Sequence, residues 1–274
     1  MVVFPNAKIN LGLRITEKRN DGYHELETCF YPLPVFDALE IIRLPAVGSF
    51  RFNSSGLDIA GELQDNLCVK AYSILKADFP GLPPVSVFLQ KAIPSGAGLG
   101  GGSADASFTL KLLNQLGGLN LSVQQLLDYS LRLGSDCPFF IINKPCYATG
   151  RGEVLEPVAI DLSAFGFVVI NPGIHVPTGQ AFSWLTPAKP KESIRDLIHL
   201  PVEKWKDVLI NDFEKSVVTR HPEVGQVKDL LYRSGAVYAS MSGSGSTVYG
   251  LFPNDHYPVI SVPEHYLIRY IGFK

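Results

Sequence analysis

Apolar and polar residues alternate near the start of the chain, and this spacing predicts a β-strand. The apolar positions are Ile9, Leu11, Leu13 and Ile15. Because successive side chains of a strand point to opposite faces, these four residues predict one buried face. Lys8 and Asn10 have the other parity and should project together from the opposite face. Taken alone, Lys8 is typical of a solvent-facing lysine on such a strand.

The rest of the pattern mixes helices and strands. Strands are predicted at 37–43, 50–53, 85–90 and 165–170, from 236 and at 247–252, and helices at 66–78, 103–117, 122–134, 193–199, 203–219 and 223–233. Ser122 and Gln125 have the spacing of a capping box at one helix start. The order indicates an α+β protein with a first domain at 1–157 and a second at 158–274.

A glycine-rich loop lies between the strand at 85–90 and the helix that follows it. Gly96, Gly98 and Gly101 satisfy the GxGxxG spacing of dinucleotide-binding folds, which is a weak signal by itself. A dinucleotide fold needs a second parallel strand ending in an acidic residue after the helix, and here a second helix follows instead. A P-loop needs a lysine at the end of the loop, where this chain has Gly102 followed by Ser103.

The loop still predicts an anion site. Five of the seven residues in 96–102 are glycine, so a ligand can approach the backbone, and the N–H groups at the next helix start carry partial positive charge. We expect a polyphosphate there, with a tightly packed turn as the alternative. A second small-residue loop, Ser242–Ser246, is either an ordinary hairpin loop or a second wall of the same site.

Composition narrows the class of ligand and partner. The chain has 274 residues, 24 basic and 26 acidic, with a net charge of -2 and no blocks of either sign. That balance argues against nucleic acid, so an anionic ligand must be met locally. The four cysteines have no CxxC pairing and are expected to be buried packing residues. The histidines lack metal-ligand spacing, and no apolar run suits a membrane span or a signal peptide, which predicts a soluble cytoplasmic protein.

Two residues are candidates for acid–base chemistry. Asp136 follows a helix stop in the segment Gly134–Pro138, where a carboxylate often caps the backbone. Together with Lys8 it would suit phosphoryl transfer to an alcohol, which needs a carboxylate for the hydroxyl proton and a cation to stabilise charge. His24 beside Tyr23 could face a ligand, although such pairs usually pack.

Five segments in this order resemble the GHMP-superfamily kinases. They are PNAKINL at 5–11, DGYH at 21–24, PSGAGLGGGSADA at 94–106, GSDCP at 134–138 and SGSGS at 242–246. The resemblance extends from residue 2 to about residue 250, with Ser107 and Thr247 as departures that touch no expected role. It implies an α+β fold with an N-terminal domain like ribosomal protein S5 and a ferredoxin-like C-terminal domain. It also implies ATP and Mg²⁺ as cofactors.

The resemblance implies roles for individual residues on the ATP side. Residues expected to bind ATP are Asn66, near the nucleoside, and Pro94, Ser95, Gly96, Ala97, Gly98, Leu99, Gly100, Gly101, Gly102, Ser103 and Ala104. Ser103 would lie near the metal and phosphate end. Asp136 would be the general base, and Lys8 would hold it ionised. Mg²⁺ would be held through the ATP phosphates, with Ser103 as the one candidate protein ligand.

On the acceptor side, the resemblance implies a cytidine diphosphate alcohol as the small-molecule substrate. The residues expected to bind it are Asn10, Tyr23, His24, Phe30, Thr178 and Phe182. His24 would read the cytosine edge, and Phe30 and Phe182 would help Tyr23 sandwich the ring. The implied reaction phosphorylates the 2-hydroxyl of this alcohol in the non-mevalonate route to isoprenoid precursors. The alternatives are another small-molecule kinase of the homoserine or mevalonate type and a nucleotide-sensing relative without catalysis. We expect a monomer or weak homodimer with no nucleic acid or membrane partner.

Overall fold

The computed structural model describes residues 1–45 and 47–274, and these form two compact units. Unit 1 consists of Met1–Lys8, Pro32–Ser95 and Gly100–Lys144, and unit 2 consists of Ile9–Tyr31, Gly96–Leu99 and Pro145–Lys274. The units are therefore interleaved along the chain, since unit 2 takes two segments from its first half. The division into domains at 1–157 and 158–274 remains a prediction.

Strands and helices are labelled in chain order. The strands are β1 (Val2–Val3), β2 (Asn6–Lys18), β3 (His24–Phe36), β4 (Ala38–Arg43), β5 (Arg51–Gly56), β6 (Val85–Lys91), β7 (Cys146–Thr149), β8 (Val154–Pro157), β9 (Phe165–Asn171), β10 (Tyr238–Met241), β11 (Val248–Pro253) and β12 (Leu267–Ile271). The helices are α1 (Leu67–Asp78), α2 (Gly101–Gly117), α3 (Val123–Leu131), α4 (Cys137–Ile142), α5 (Thr178–Ser183), α6 (Ile194–Leu197), α7 (Trp205–Val208), α8 (Phe213–Arg220) and α9 (Pro222–Arg233), with short 3-10 turns at Leu63–Asp65 and Val202–Lys204.

Unit 1 is one sheet covered by helices. The strand order is β1-β4-β6-β5, with β5 parallel to β6 and the other pairs antiparallel. Leu39 and Ile41 of β4 pair with Leu89 and Val87 of β6, and all four are buried. Their core continues into apolar residues of α1, α2 and α3. The glycine-rich loop therefore follows a buried central strand and precedes a helix packed on it.

Unit 2 contains two sheets. One has the strand order β10-β11-β9-β12, and the other has the order β2-β3-β7-β8, with parts of β2 and β3 belonging to unit 1 along the chain. The core of unit 2 joins Val168 and Ile170 of β9 to Phe213 of α8 and Leu231 of α9. The continuously apolar strand β9, which the sequence predicted at 165–170, thus packs against two helices of the same unit.

The first long strand departs from its predicted exposure. We expected one buried face with Lys8 and Asn10 on an open one, but Lys8 is 3% exposed and Asn10 is 2% exposed. The prediction of a solvent-facing Lys8 is therefore wrong. Periodicity registers only apolar burial, whereas both polar side chains are buried with polar partners that offset the desolvation cost.

The predicted helix at 203–219 is also wrong, because the chain leaves helical geometry after α7. The Leu13 N–H donates to the Ile210 carbonyl at 3.0 Å, and the Asp212 N–H donates to the Leu13 carbonyl at 2.8 Å. Pairing with β2 thus replaces helical hydrogen bonds at this point, and α8 begins afterwards at Phe213.

Other elements agree with the sequence patterns in part, whereas β3, β7, β8, β12 and α5 were not predicted. The capping box of Ser122 and Gln125 is present at the start of α3. Helix α2 begins at Gly101, two residues before the expected Ser103. Helix α4 was missed, because its six residues are nearly all apolar and show no helical period. In the described part of the chain, no helix is long and apolar enough to cross a membrane.

Candidate active site

Lys8 and Asp136 form an ion pair within unit 1. Lys8 Nζ lies 3.3 Å from Asp136 Oδ2, with the lysine side chain 4% exposed and the aspartate side chain 36% exposed. Asp136 precedes α4 at the N-cap position, yet its carboxylate makes no capping hydrogen bond to that helix. The capping interpretation of Asp136 is therefore wrong. A charged pair with one accessible carboxylate is instead suited to accept a proton from a ligand.

The residues around Asp136 hold its backbone in place. The Ser107 hydroxyl on α2 donates to the carbonyl of Cys137 at 2.7 Å. Ser107 was expected to touch no role, but it fixes the residue next to the candidate base. Burial raises the pKa of the Cys137 thiol to about 12. This residue and the other three cysteines are buried and unoxidised, as predicted for packing residues.

The end of the glycine-rich loop brings the start of α2 close to Lys8. Gly100 has a φ of +70°, and a Cβ atom there would lie 2.8 Å from Phe140 Cζ and 3.0 Å from Lys8 Cγ. Only glycine avoids both the strained backbone and these overlaps. The first turn of α2, which includes Ser103, therefore begins beside the lysine, where its free N–H groups favour an anion.

The two small-residue loops meet within unit 2. The Ser242 hydroxyl donates to the carbonyl of Gly98 at 2.7 Å. A Cβ atom on Gly98, whose φ is +81°, would overlap the carbonyl oxygen of Ser242. The contact between the two loops therefore requires glycine at position 98. The sequence had suggested such a contact only as one of two alternatives for the loop Ser242–Ser246.

A cavity of about 130 Å³ lies in unit 1 near the predicted nucleoside position. It is lined by Ile59, Ala60, Asp65, Asn66, Leu67, Cys68, Lys91, Ser95, Gly102 and Asp105. Asn66 is half-buried at the N-cap of α1, where its side-chain oxygen accepts the Cys68 N–H at 2.9 Å. Three residues predicted to bind ATP, namely Asn66, Ser95 and Gly102, therefore share one cavity.

Sequence reasoning missed a buried charge cluster beside this cavity. Lys91 Nζ contacts Asp37 Oδ2 and lies 2.7 Å from Asp105 Oδ2. Asp37 Oδ1 also accepts the N–H groups of Ala92 and Ile93 at 2.6 and 2.9 Å. The cluster joins the start of β4, the end of β6 and the first turns of α2, so it fixes the chain on both sides of the glycine-rich loop.

The pKa values in the cluster follow from burial and pairing. Burial raises the pKa of Asp105 to about 7, against the opposing effect of Lys91. Burial lowers the pKa of Lys91, but the two carboxylates outweigh it and the net shift is upward. The signal was available in the strand pattern, because Lys91 shares its parity with the buried Val85, Val87 and Leu89.

The predicted acceptor residues lie in unit 2 and form several contacts. The rings of His24 and Phe182 stack at 4.7 Å with 16° between their planes. Burial, with a smaller effect of Lys18, lowers the pKa of His24, so its imidazole is neutral near pH 7. Tyr23 is exposed, and the Arg151 guanidinium lies 4.5 Å from its ring centre.

The remaining acceptor residues divide into two groups. Asn10 donates from Nδ2 to Thr28 Oγ1 at 3.0 Å, and the Thr178 hydroxyl lies 3.1 Å from that of Ser244. Both therefore lie close to or within reach of the second loop. Phe30 is 2% exposed in the strand pair of β3 and β7. Its role in stacking on a base stays a prediction.

The predicted site residues are thus gathered within each unit. Unit 1 holds Lys8, Asn66, Pro94, Ser95, Gly100, Gly101, Gly102, Ser103, Ala104 and Asp136, and unit 2 holds Asn10, Tyr23, His24, Phe30, Gly96, Ala97, Gly98, Leu99, Thr178 and Phe182. Across residues 1–45 and 47–274, no three His, Cys, Asp or Glu side chains group as metal ligands.

Comparison with known proteins identifies the family. The model described as GHMP kinases N terminal domain matches residues 66–144, and the model described as GHMP kinases C terminal matches residues 192–259. The chain belongs to the GHMP kinase family. It is 53% identical over 253 residues to a 4-diphosphocytidyl-2-C-methyl-D-erythritol kinase of Bacteroides fragilis, covering 92% of each chain. A kinase of the same name from Bacteroides thetaiotaomicron is 54% identical over the same share of each chain.

Solved structures agree with this membership of the GHMP kinases. A crystal structure of 4-(cytidine 5'-diphospho)-2C-methyl-D-erythritol kinase superimposes with a TM-score of 0.78 and 32% identity, covering 92% of this chain and 90% of that one. A mevalonate kinase superimposes with a TM-score of 0.69 at 11% identity, which shows a shared fold alone. The predicted α+β GHMP kinase fold and the predicted family are confirmed.

Proposed function

We propose that this chain transfers the γ-phosphoryl group of ATP to the 2-hydroxyl of 4-diphosphocytidyl-2-C-methyl-D-erythritol. The observation that supports this substrate is the similarity to kinases of that name, which extends over 92% of the chain at 53 to 54% identity. The Lys8–Asp136 pair supports the chemistry, because it supplies a carboxylate and a cation in direct contact.

In the proposed reaction, Asp136 is the general base. Its half-exposed carboxylate accepts the proton of the acceptor hydroxyl while that oxygen bonds to the γ-phosphorus. The bond between the γ-phosphorus and the bridging oxygen to the β-phosphate breaks, and ADP leaves with that electron pair. Lys8, at 3.3 Å from the carboxylate, contributes positive charge beside it and orients the alcohol.

The residues from Pro94 to Ala104 bind the ATP phosphates in this proposal, and Asn66 contacts the nucleoside. Backbone N–H groups of the glycine-rich loop and of the first turn of α2 donate to the phosphate oxygens. Mg²⁺ would be held by those oxygens and by the hydroxyl of Ser103, an oxygen ligand of the type this ion prefers. When bound, the ion neutralises charge on the phosphates.

The acceptor is held in unit 2. Tyr23 and Phe182 provide the stacking surface for cytosine, and the neutral imidazole of His24 can both donate to and accept from the base edge. Asn10 and Thr178 bind the alcohol portion. Phe30 is buried, so its contribution is kept only as a prediction. A monomer or weak homodimer in the cytoplasm without nucleic acid or membrane partners also stays a prediction.

ADP release with a panel of acceptors tests the proposed substrate. The panel contains the cytidine diphosphate alcohol, its uridine counterpart, mevalonate and homoserine. We expect turnover to be fastest with the cytidine compound. Turnover with mevalonate or homoserine instead would assign the chain to another GHMP activity, and ATP binding without turnover of any acceptor would indicate a nucleotide sensor.

A further inference from the structure

The segment Asn211–Glu214 belongs to none of the motifs that predicted the site, yet Asn211 and Phe213 contact parts of unit 2 that the proposed function uses. It lies between α7 and the first turn of α8. We call residues 211–214 the support segment. Its sequence, NDFE, has one buried asparagine and two partly buried carboxylates, whose polar atoms need hydrogen-bond partners.

Asn211 is hydrogen-bonded to the backbone at the start of the second small-residue loop. It is 1% exposed, and its Nδ2 donates to the carbonyls of Met241 at 2.7 Å and Gly243 at 2.9 Å. Its Oδ1 accepts the N–H of Phe213 at 3.0 Å. Both amide hydrogens and the amide oxygen are therefore used, so the side chain can hold the loop in one arrangement only.

The loop that Asn211 holds contacts residues assigned to both ligands. Ser242, between the two gripped carbonyls, donates from Oγ to the carbonyl of Gly98 at 2.7 Å and accepts the backbone N–H of Asn10 at 3.3 Å. Ser244 lies at hydrogen-bond distance from Thr178. A shift of the loop would thus displace the glycine-rich loop and the acceptor contacts together.

The acidic residues of the support segment secure it to neighbouring strands. Glu214 accepts the N–H of Met241 at 2.7 Å and the hydroxyl of Ser240 at 3.0 Å. Asp212 accepts the N–H of Ile15 at 2.8 Å. Because β2 and β10 are both tied to these carboxylates, the segment is a fixed base from which Asn211 can act.

Phe213 contacts the aromatic pair on the acceptor side. Its ring meets Phe182 edge-on, with ring centres 5.0 Å apart and 84° between planes. Phe182 in turn stacks on His24. Such edge contacts fix the orientation of a ring in addition to burying it.

We propose that Asn211 and Phe213 are positioning residues with different effects on phosphoryl transfer. Asn211 aligns the Ser242–Ser246 loop with the glycine-rich loop, and Phe213 orients the Phe182–His24 pair that receives the cytosine. This inference rests on the proposed function for the identity of the acceptor, but the contacts that carry it do not involve Lys8 or Asp136.

Three variants test the proposal, because one positioning residue should affect kcat and the other should affect KM for the acceptor. In Asn211→Asp, carboxylate oxygens face the carbonyls of Met241 and Gly243, so the loop is released and kcat falls by about 100-fold, the scale expected for a small misplacement of reacting groups. In Phe213→Leu, KM for the acceptor rises by about tenfold while KM for ATP is unchanged.

Asn254→Asp is the matched control. Asn254 is another buried asparagine of unit 2, and its Nδ2 donates to the carbonyl of Ser163 at 2.7 Å, away from either loop. The melting temperature of this variant should be lower than that of the wild type, whereas kcat and both KM values should be unchanged. If Asn211→Asp does not fold, Asn211→Ser, which keeps one donor, replaces it and should show a smaller loss of kcat.

Equilibrium binding keeps this test separate from the proposed function. If the wild type does not phosphorylate the cytidine diphosphate alcohol, the proposed function fails, and calorimetry with CDP and a non-hydrolysable ATP analogue still decides the inference. Weaker CDP binding in Phe213→Leu with unchanged binding of the ATP analogue supports it. The inference would be overturned if, in all three variants, the losses of kcat and of binding were simply proportional to the loss of melting temperature.

Discussion

Unit 1 contains two contacts between lysine and aspartate that differ in their surroundings. Lys91 contacts Asp37 and Asp105, and all three side chains are at most 2% exposed. Lys8 is almost as buried, but its partner Asp136 keeps 36% of its side chain exposed. The charged atoms of the enclosed cluster are almost wholly shielded from solvent, whereas the open pair keeps an accessible carboxylate that can meet a ligand. Exposure of the carboxylate, more than the presence of an ion pair, distinguishes the pair proposed for catalysis from the enclosed cluster.

Removing the exposed carboxylate should give the largest effect. In Asp136→Asn, kcat is expected to fall by about 1,000-fold, within the range for loss of a general base. The variant should also lose some stability, because the buried Lys8 keeps a side-chain oxygen as partner but loses the opposite charge. Steady-state kinetics at saturating ATP and acceptor measure this, and a near-normal kcat in a folded variant would remove Asp136 from the mechanism.

Replacing the lysine of each contact should show that the two contacts contribute differently to the free energy of unfolding. Lys91→Met leaves Asp37 and Asp105 without their cation in a buried site, so the free energy of unfolding should fall by about 3 kcal/mol. Lys8→Met is the matched variant. It leaves a carboxylate that water can reach, so it should lose about 1 kcal/mol or less while kcat drops.

Urea denaturation of these two variants measures the difference. Equal losses of stability in Lys8→Met and Lys91→Met would contradict the division into an open and an enclosed contact, because both lysines are buried to a similar extent.

The raised pKa of Asp105 predicts that its contribution to stability falls as pH rises, the opposite of an aspartate whose pKa is lowered by folding. Burial raises its pKa in the folded state to about 7, above the ordinary value for an aspartate, about 3.9. Between these values the folded state binds more protons than the unfolded state, so this residue's contribution to the free energy of unfolding falls as pH rises.

Comparison with Asp105→Asn isolates that contribution. The free energy of unfolding of the wild type minus that of the variant should decrease from about pH 4 to about pH 7, the interval between the two pKa values. A difference that stays constant or grows with pH would show that Asp105 is ionised in the folded protein throughout.

The smallest effect is expected at the stacked rings of unit 2. Phe182→Leu removes the ring against which His24 stacks at 4.7 Å, so KM for the acceptor should rise by about tenfold. KM for ATP and the melting temperature should stay near the wild-type values. An unchanged KM for the acceptor would mean that cytosine binds elsewhere.

The sequence predicted the position of most elements and the identity of the open pair, but it missed the enclosed cluster. Alternating apolar residues located β2 and β6, and capping residues located α3. The same alternation gave the wrong exposure for Lys8, because a pattern of apolar residues does not show that the polar face is covered as well.

Long-range contacts account for the other misses. Asn211 looked like part of a continuous helix, but pairing of the neighbouring residues with Leu13 interrupts that helix. Asp37 and Asp105 are 68 positions apart and are brought together around Lys91. The local spacing of residues does not indicate a contact between such distant positions. The position of Lys91 on the buried face of its strand could nevertheless have suggested a buried partner for it.

The position of phosphate on the product tests the central claim most directly. The protein would be incubated with ATP and 4-diphosphocytidyl-2-C-methyl-D-erythritol, and the product examined by proton-coupled ³¹P NMR. We expect a new phosphomonoester signal without splitting from a carbinol proton, because carbon 2 of the acceptor carries a methyl group and no hydrogen. A triplet or doublet would place the phosphate on carbon 1 or carbon 3, and no new phosphomonoester at all would contradict the proposed function.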